Sequence, residues 1–287
     1  MPKFQEDAEV IEHRHVAAGT YRMRLVSPRL AAHGRPGQFL LVRVGNTLDP
    51  LLRRPFSFHR LFPDAGMVEI LYKVVGRGTL LLSRCQPGTR LSLLGPLGNG
   101  FTLPTERSQP LFLVAGGIGI APLFAVMDPA LAAGWSPTQL RLFYGARSAD
   151  EFLPAAEFER CRTHVHWSTD DGSYGWHGYV TDILRRVLEG GDFRPGRLYA
   201  CGTLAMQYQV AKLVAEHGLT AELSLESLMA RGLGACLGCA LPARHPTDPD
   251  ADHYLHVCKD GPIFSPGSIR WQKIQFHRAQ PPIFLSS

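Results

Sequence analysis

Three cysteines close to the carboxyl terminus have the spacing of a metal or redox site. Cys236 and Cys239 form a Cys-x₂-Cys pair, and Cys258 follows further along the chain. Thiolates with this spacing bind iron–sulfur clusters or zinc. The other cysteines are scattered, at Cys85, Cys161 and Cys201. In a cytosolic chain, clustered cysteines indicate metal or redox chemistry more than disulfide bonds.

A second candidate site lies in the first third of the chain, in the run Arg54-Pro55-Phe56-Ser57-Phe58. These residues combine the groups that a flavin requires. Ser57 supplies a polar group for the redox-active edge of the ring, while Phe56 and Phe58 supply apolar contact. Arg54 can form charge-assisted hydrogen bonds with a pyrophosphate. Pro55 fixes one backbone angle where the strand begins.

A glycine-containing loop follows the next predicted strand. This segment carries Tyr72, Lys73, Val74, Gly78 and Thr79. Glycines after a strand let backbone N–H groups approach phosphate oxygens. Because glycine-rich turns occur in any barrel, the flavin prediction depends on the order of the two motifs rather than on either one.

A second glycine cluster lies between an apolar run at 111–115 and a helix-like segment. Its residues are Gly116, Gly117 and Gly119, followed by Ala121 and Pro122. Glycines permit close approach of a cofactor, and a helix N-terminus offers free N–H groups to a pyrophosphate. Pro122 suits the first turn of a helix. The position between a strand and a helix predicts a dinucleotide site.

Further candidate residues follow the later strands of this region. They are Tyr144, Gly145 and Arg147 after one strand, Asp171 after the next, and Cys201 and Gly202 after a later one. Open parallel sheets bind ligands at the carboxyl ends of their strands, so we expect all of these residues at one crevice. Cys201 could equally be a small buried hydrophobe.

The elements around these motifs predict an α+β multidomain chain. Residues 1–103 contain short strands separated by Gly/Pro turns, which predicts a β-barrel or a sandwich. Residues 104–220 alternate strands and helices, which predicts an α/β domain with a parallel sheet. Residues 221–287 form a small cysteine-rich segment with few helix signals.

Composition excludes several classes of protein. The chain has 287 residues, a net charge of +5 and a pI of about 9.0. Its basic residues are dispersed, so nucleic-acid binding is not expected. The sequence has no apolar run near membrane-spanning length and no signal peptide, which favours a cytoplasmic protein without a membrane span.

The motif order is similar to that of the ferredoxin–NADP reductase superfamily, which carries Arg-Pro-x-Ser-Phe/Tyr followed by Gly-x-Gly-Thr. Residues 229–239 read Met-Ala-Arg-Gly-Leu-Gly-Ala-Cys-Leu-Gly-Cys, and residues 257–264 read Val-Cys-Lys-Asp-Gly-Pro-Ile-Phe. These two segments resemble the electron-transfer subunits of class 1B dihydroorotate dehydrogenases. The resemblance covers most of the chain.

This resemblance implies FAD, NAD and a [2Fe–2S] cluster as cofactors. It implies that residues 1–103 form an N-terminal antiparallel β-barrel that binds FAD. It also implies a partner, the FMN-containing catalytic subunit of dihydroorotate dehydrogenase, whose electrons pass through the cluster and FAD to NAD⁺. Cys201 and Gly202 would lie beside the nicotinamide, although Thr203 stands where the family has proline. Cys201 and Ser57 are assigned tuning and orientation, and no residue is assigned as a general base.

One position departs from the family pattern in a way that bears on the cluster. The family holds the cluster with four cysteines, and here Arg231 replaces the first of them. Arginine offers only hydrogen-bond donors, so it is a poor ligand. The cluster could persist on Cys236, Cys239 and Cys258 with a substitute ligand, or the site could bind nothing stably. Zinc on the three cysteines and His245, His253 or His256 is a third possibility.

Two other functions remain open at this point. One is an NAD(P)H-linked oxidoreductase subunit that serves ferredoxin, sulfur compounds or a hydrogenase. The other, if Arg231 abolishes the cluster, is a structural or regulatory partner that binds a flavin enzyme without relaying electrons. The intact flavin and dinucleotide motifs argue against the second.

Overall fold

The computed structural model describes residues 2–45, 49–159, 161, 163–191, 195–248 and 250–274. The last part of the predicted cysteine-rich segment, residues 275–287, lies outside the described residues. Among the described residues, no helix is both long enough and apolar enough to cross a lipid bilayer.

The amino-terminal region is a closed antiparallel barrel, as predicted. Its strands are β1 (Phe4–Ala17), β2 (Thr20–Val26), β3 (Phe39–Arg43), β4 (Arg54–Phe62), β5 (Met67–Lys73) and β6 (Arg90–Leu97). They are hydrogen-bonded in the order β1-β2-β5-β4-β3-β6. Short helices α1 (Pro28–His33) and α2 (Arg77–Leu82) connect strands. Alternate apolar residues such as Met23, Phe58 and Ile70 fill the interior.

The central region is an α/β domain, also as predicted. It contains β7 (Leu111–Gly116), β8 (Leu140–Ala146), β9 (His164–Thr169), β10 (Trp176–His177), β11 (Arg197–Cys201) and β12 (Ala221–Ser224). The helices are α3 (Ile120–Ala132), α4 (Ala156–Glu159), α5 (Val180–Glu189) and α6 (Leu204–Glu216). Strand β7 lies between β8 and β11 and is buried on both faces, which explains its continuous apolar run.

The carboxyl-terminal segment is partly integrated into the central sheet. It forms a hairpin of β13 (Ala240–Ala243) and β14 (His253–His256), followed by β15 (Ile263–Phe264). Strand β15 pairs antiparallel with β12 at the edge of the sheet. The central sheet therefore contains strands from both sides of residue 220, where the sequence predicted a domain boundary. That boundary stays a prediction.

The same segment also binds the barrel. The backbone N–H of Asn99 donates to Gly261 O at 2.7 Å, and the Asn99 amide bonds both backbone groups of Ile263 at 2.8 and 2.9 Å. A side chain at Gly98 would come within 2.6 Å of Gly261 O. These contacts fix the end of β6 against the loop that follows Cys258.

Candidate functional site

Strand β4 presents the predicted flavin motif with alternating orientation. Phe58 is fully buried in the barrel core, whereas Ser57, half-buried, pairs with Phe39 of β3. Phe56 is half-buried and lies 5.4 Å from the Tyr72 ring, which is itself buried. The Phe58 and Tyr72 side chains are both buried in the barrel core, against which Phe56 also packs. Their contact with a flavin stays a prediction, and Tyr72 supports the Phe56 ring from the core side.

Tyr72 is held in the barrel by a polar contact of its own. Its hydroxyl lies 2.8 Å from His13 Nε2, and His13 Nδ1 lies 2.8 Å from Cys85 O. Burial raises the pKa of Tyr72, so the phenol stays protonated. Tyr72 can therefore donate to His13 and has no acid–base role near neutral pH.

The structure brings Arg54 and Gly78 together, which the sequence did not predict. A Cβ atom at Gly78 would lie 2.4 Å from Arg54 Nε, so only glycine leaves room for this guanidinium. Arg54 also donates to Leu52 O. The Thr79 hydroxyl accepts from the N–H groups of Val75 and Gly76 at 2.9 and 3.1 Å, which holds the loop in shape. A partly exposed arginine over a glycine loop suits a pyrophosphate.

We expect Gly78→Ala to weaken FAD binding by displacing Arg54. Loss of one charge-assisted hydrogen bond should raise the FAD dissociation constant about tenfold. Fluorescence titration of the apoprotein with FAD measures this. Gly267→Ala is the control, because this glycine lies outside the flavin loop, nothing lies within 4 Å of its Cβ, and its φ is outside the left-handed region. Equal dissociation constants for the two variants would contradict the assigned role of Gly78.

The predicted dinucleotide glycines lie against the end of β11. A Cβ atom at Gly119 would meet Cys201 O at 2.2 Å, and one at Gly116 would lie 3.5 Å from the Gly202 Cα. Gly117 has a φ of 53° and open space at its Cβ position, so a ligand can approach its backbone there. Helix α3 begins directly after this 3₁₀ turn, in which the Ile120 N–H donates to Gly117 O. The N–H groups that a ligand can reach at this helix start are therefore those of the turn itself.

The other residues predicted at the crevice either line its wall or lie at its rim. Ala121, Pro122 and Tyr144 are buried, and Tyr144 packs among aromatic rings of the domain core. A Cβ at Gly145 would lie 2.8 Å from Val180 Cβ, so this glycine allows α5 to pack closely on β8. These residues shape the crevice, and their direct contact with a ligand stays a prediction.

At the rim of the crevice, charged side chains cross from the barrel to the central domain. Glu151 accepts from Lys73 at 2.7 Å and from Arg147 at 2.7 Å. These hydrogen bonds lower the pKa of Glu151 against the effect of its partial burial. Asp171 N donates to Arg147 O at 3.1 Å, which brings the predicted Asp171 to the same rim. Glu151 was not among the predicted site residues.

Cys201 is fully buried at the base of the crevice. Its Sγ lies 4.0 Å from Glu226 Oε1. Burial and the Glu226 carboxyl raise the pKa of the Cys201 thiol well above its usual value, so it remains protonated. Glu226 was also not among the predicted site residues. Its position follows from β12, where Ser224 pairs with Cys201 and Glu226 comes two residues later.

The loop that carries Cys236 and Cys239 folds over Cys258. Cys239 and Cys258 are buried with their sulfurs 3.2 Å apart, while Cys236 is exposed at the rim. Gly234 N donates to Cys258 Sγ at 3.2 Å, and Cys258 N donates to Cys239 Sγ at 3.4 Å. Hydrogen bonds from the backbone of Gly238 and Arg231, with the Arg231 charge, lower the pKa of Cys236.

Comparison with known proteins matches both the cysteine loop and the central sheet to known domain families. Residues 226–270 match the iron–sulfur cluster binding domain of dihydroorotate dehydrogenase B, and residues 113–212 match an oxidoreductase NAD-binding domain. The electron transfer subunit of dihydroorotate dehydrogenase B (NAD⁺) from Desulforamulus reducens is 38% identical over 93% of this chain and 98% of its own length. The chain belongs to this family of electron transfer subunits.

Other relatives agree with this membership. The subunit of the same name from Geobacillus thermodenitrificans is 37% identical over 92% of this chain and 98% of its own. Among solved structures, an NADH-dependent reduced ferredoxin–NADP oxidoreductase shares 26% identity with a TM-score of 0.78, covering 93% of this chain and 90% of that one. A cytochrome P450 reductase from Amycolatopsis, at 23% identity and a TM-score of 0.64, shares the fold.

The cysteine loop of this family member suits an iron–sulfur cluster better than zinc. Backbone N–H groups donate to the sulfurs, as they do to cluster thiolates, whose potentials such bonds tune. Two of the three histidines of the zinc alternative have other polar partners: His245 Nδ1 accepts from Asp248 N at 3.1 Å, and His256 lies 3.4 Å from Asp260. Across the described part of the chain, no three His, Cys, Asp or Glu side chains are already assembled as a metal-ion site.

Proposed function

We propose that this chain relays electrons from an FMN-containing catalytic subunit of dihydroorotate dehydrogenase to NAD⁺. The observation that carries the proposal is the contact between the cysteine loop and the flavin strands. A Cβ at Gly232 would lie 3.0 Å from the Leu41 side chain of β3, and Leu41 pairs with Pro55 of β4. The thiolate loop and the flavin motif are therefore joined through packed elements.

The chain's own residues act by binding and positioning. Arg54 and the Gly78 loop would hold the FAD pyrophosphate, and Cys236, Cys239 and Cys258 would hold the cluster. Bound FAD exchanges single electrons with a cluster and a hydride with a nicotinamide. The half-buried Ser57 follows Phe56 on β4, and its hydroxyl would orient the ring.

The rim charges support NAD as the dinucleotide. Glu151 already neutralises Arg147, and Asp170 and Asp171 add negative charge beside it. Burial and the neighbouring Glu151 raise the pKa of Asp170, which reflects this local excess of carboxylates. Carboxylates near a ribose accept from its 2′-hydroxyl and repel a 2′-phosphate.

A cytoplasmic location of the protein remains a prediction.

Exposed apolar side chains surround the cysteine loop and favour partner docking there. Leu228, Leu233 and Leu237 are 92%, 45% and 62% exposed, and Cys236 lies between them in sequence. Contiguous exposed apolar groups mark protein interfaces. A catalytic subunit bound at this surface would bring its FMN to the thiolate side of the chain.

The function is tested by mixing the anaerobically purified, cofactor-loaded chain with the FMN-containing subunit. We expect dihydroorotate-dependent NADH formation, measured at 340 nm, that requires both proteins. Omission of either protein is the control. NADH formation that is no faster with the correct FMN subunit than without it, while the chain's FAD is still reduced by NADH, would reject the proposed partner.

A further inference from the structure

A β-bulge interrupts strand β4 immediately after the flavin motif. Phe58 pairs with Ile70 of β5 and Arg60 pairs with Glu69, so His59 is the extra residue without an opposite partner. A bulge re-aims side chains and increases the local twist. Here it directs both His59 and Arg60 towards helix α3 of the central domain.

One face of α3 receives these two side chains. His59 Nδ1 lies 3.2 Å from Ala121 O, and its ring meets Phe124 edge-on at 4.8 Å. The Arg60 guanidinium lies 5.0 Å from the centre of the same ring and 3.5 Å from Asp128. Ala121, Phe124 and Asp128 are three and four residues apart, so they form one helical face.

His59 is completely buried, and burial favours its neutral form, although Nε2 lies 3.8 Å from Glu69 Oε1. Burial and the adjacent Arg60 lower the pKa of His59 to about 3. The ring is therefore neutral near pH 7. Because Ala121 O can only accept, Nδ1 carries the proton and donates to it. The bond joins the strand of the flavin motif to the first turn of the dinucleotide helix, two residues after Gly119.

The barrel side of this contact is held by further charges. Glu69 is 1% exposed and accepts from Arg24 at 2.8 and 3.1 Å. Arg22 donates to Glu12 at 2.9 Å and pairs with Glu157 of α4, so it also crosses to the central domain. Glu69 is the buried centre of this set, since it lies within 4 Å of both Arg22 and Arg24, and Arg22 carries the connection on to α4.

We propose that His59 is a positioning residue for hydride transfer. Its bond to Ala121 fixes the dinucleotide turn over the flavin strand and thereby sets the distance between the nicotinamide and the flavin. The inference rests on the proposed function, since it concerns the exchange between FAD and NAD. It assigns no contact between His59 and either cofactor.

The test compares His59→Phe with His59→Asn in FAD-loaded protein. Anaerobic stopped-flow reduction of FAD by NADH gives the limiting rate and the half-saturating NADH concentration. His59→Phe keeps a ring but loses the donor, and a displacement of about 1 Å should lower the limiting rate tenfold or more. The half-saturating concentration and FAD content should stay near wild type, while the charge-transfer absorbance of reduced flavin with NAD⁺ weakens.

His59→Asn should restore most of the limiting rate, because its amide nitrogen is as many bonds from Cα as Nδ1 of histidine. His33→Phe is the matched control: His33 bonds only locally, to Arg29 O, and packs on Phe4. A His59→Phe limiting rate within twofold of wild type would overturn the proposal, as would failure of His59→Asn to improve on it. A wild-type chain that NADH cannot reduce would instead count against the proposed function.

A further variant keeps the test decisive if His59→Phe loses FAD. His59→Gln moves the donor one bond further out instead of deleting it. We then expect His59→Gln to have a lower limiting rate than His59→Asn at equal FAD content. Equal rates would overturn the proposal, because the position of the donor would then have no effect on hydride transfer.

Discussion

Cys258→Ala should abolish dihydroorotate-linked NAD⁺ reduction while leaving NADH-dependent reduction of FAD within about twofold of wild type. Cys258 is buried, touches Cys239 Sγ and accepts an N–H from Gly234, so its loss removes a central member of the thiolate set. Since loss of outer-shell partners alone costs 10–100-fold at metal sites, loss of this ligand should cost at least about 100-fold. The two activities are measured at 340 nm with the FMN subunit and by anaerobic NADH titration, respectively.

The separation of the two activities follows from the geometry. The dinucleotide crevice is formed by Gly116, Gly119 and Cys201, none of which Cys258 is seen to contact. Cys85→Ala is the control, because this half-buried barrel cysteine lies outside the loop, binds His13 through its backbone carbonyl, and has its thiol 4.0 Å from Leu81 O in the same part of the barrel. Full dihydroorotate-linked activity in Cys258→Ala would remove Cys258 from the electron path.

Arg231→Cys should convert an incomplete thiolate set into a complete one. Arginine offers donors only, whereas a fourth thiolate adds a ligand and a negative charge. We expect the iron and sulfide content to rise to about two of each per chain, and the midpoint potential of the cluster to fall by on the order of 100 mV, because net charge sets such potentials. Elemental analysis and an EPR-monitored redox titration measure the two effects.

The control for this variant places a cysteine elsewhere on the same segment. Arg244 is exposed in the β13–β14 hairpin region and its backbone N–H donates to Ser268 O, away from the thiolates. Arg244→Cys should therefore leave both iron content and potential unchanged. If Arg231→Cys behaves like Arg244→Cys, then Arg231 does not occupy the fourth ligand position.

Much of this protein's local structure can be predicted from short stretches of its sequence. The apolar run at 111–115 followed by Gly116, Gly117 and Gly119 predicted the strand, turn and helix that the structure contains, with α3 beginning at Ile120. Local spacing is sufficient here because a buried parallel strand and a helix start each impose their own residue types. The Cys-x₂-Cys pair and Cys258 predicted a shared metal or redox site, and the structure brings Cys239 and Cys258 together with their sulfurs 3.2 Å apart.

Other features depended on contacts between residues far apart in the chain. Alternation along β4 was visible, but only barrel closure decided which face of β4 turns inward and buries Phe58 beside Tyr72 of β5. The packing of Arg54 on Gly78 and the approach of Glu226 to Cys201 join separate loops, and no local pattern encodes such pairs.

The sequence by itself determined the order of the domains and the chemical groups at each site, because these follow from residue type and local periodicity. The tertiary structure alone decided how the sites meet. The bulge at His59 and the seating of Gly232 on Leu41 arise from strand register and loop packing. Those are properties of distant segments brought together, and they are set by the free energy of the whole fold rather than by any one stretch of it.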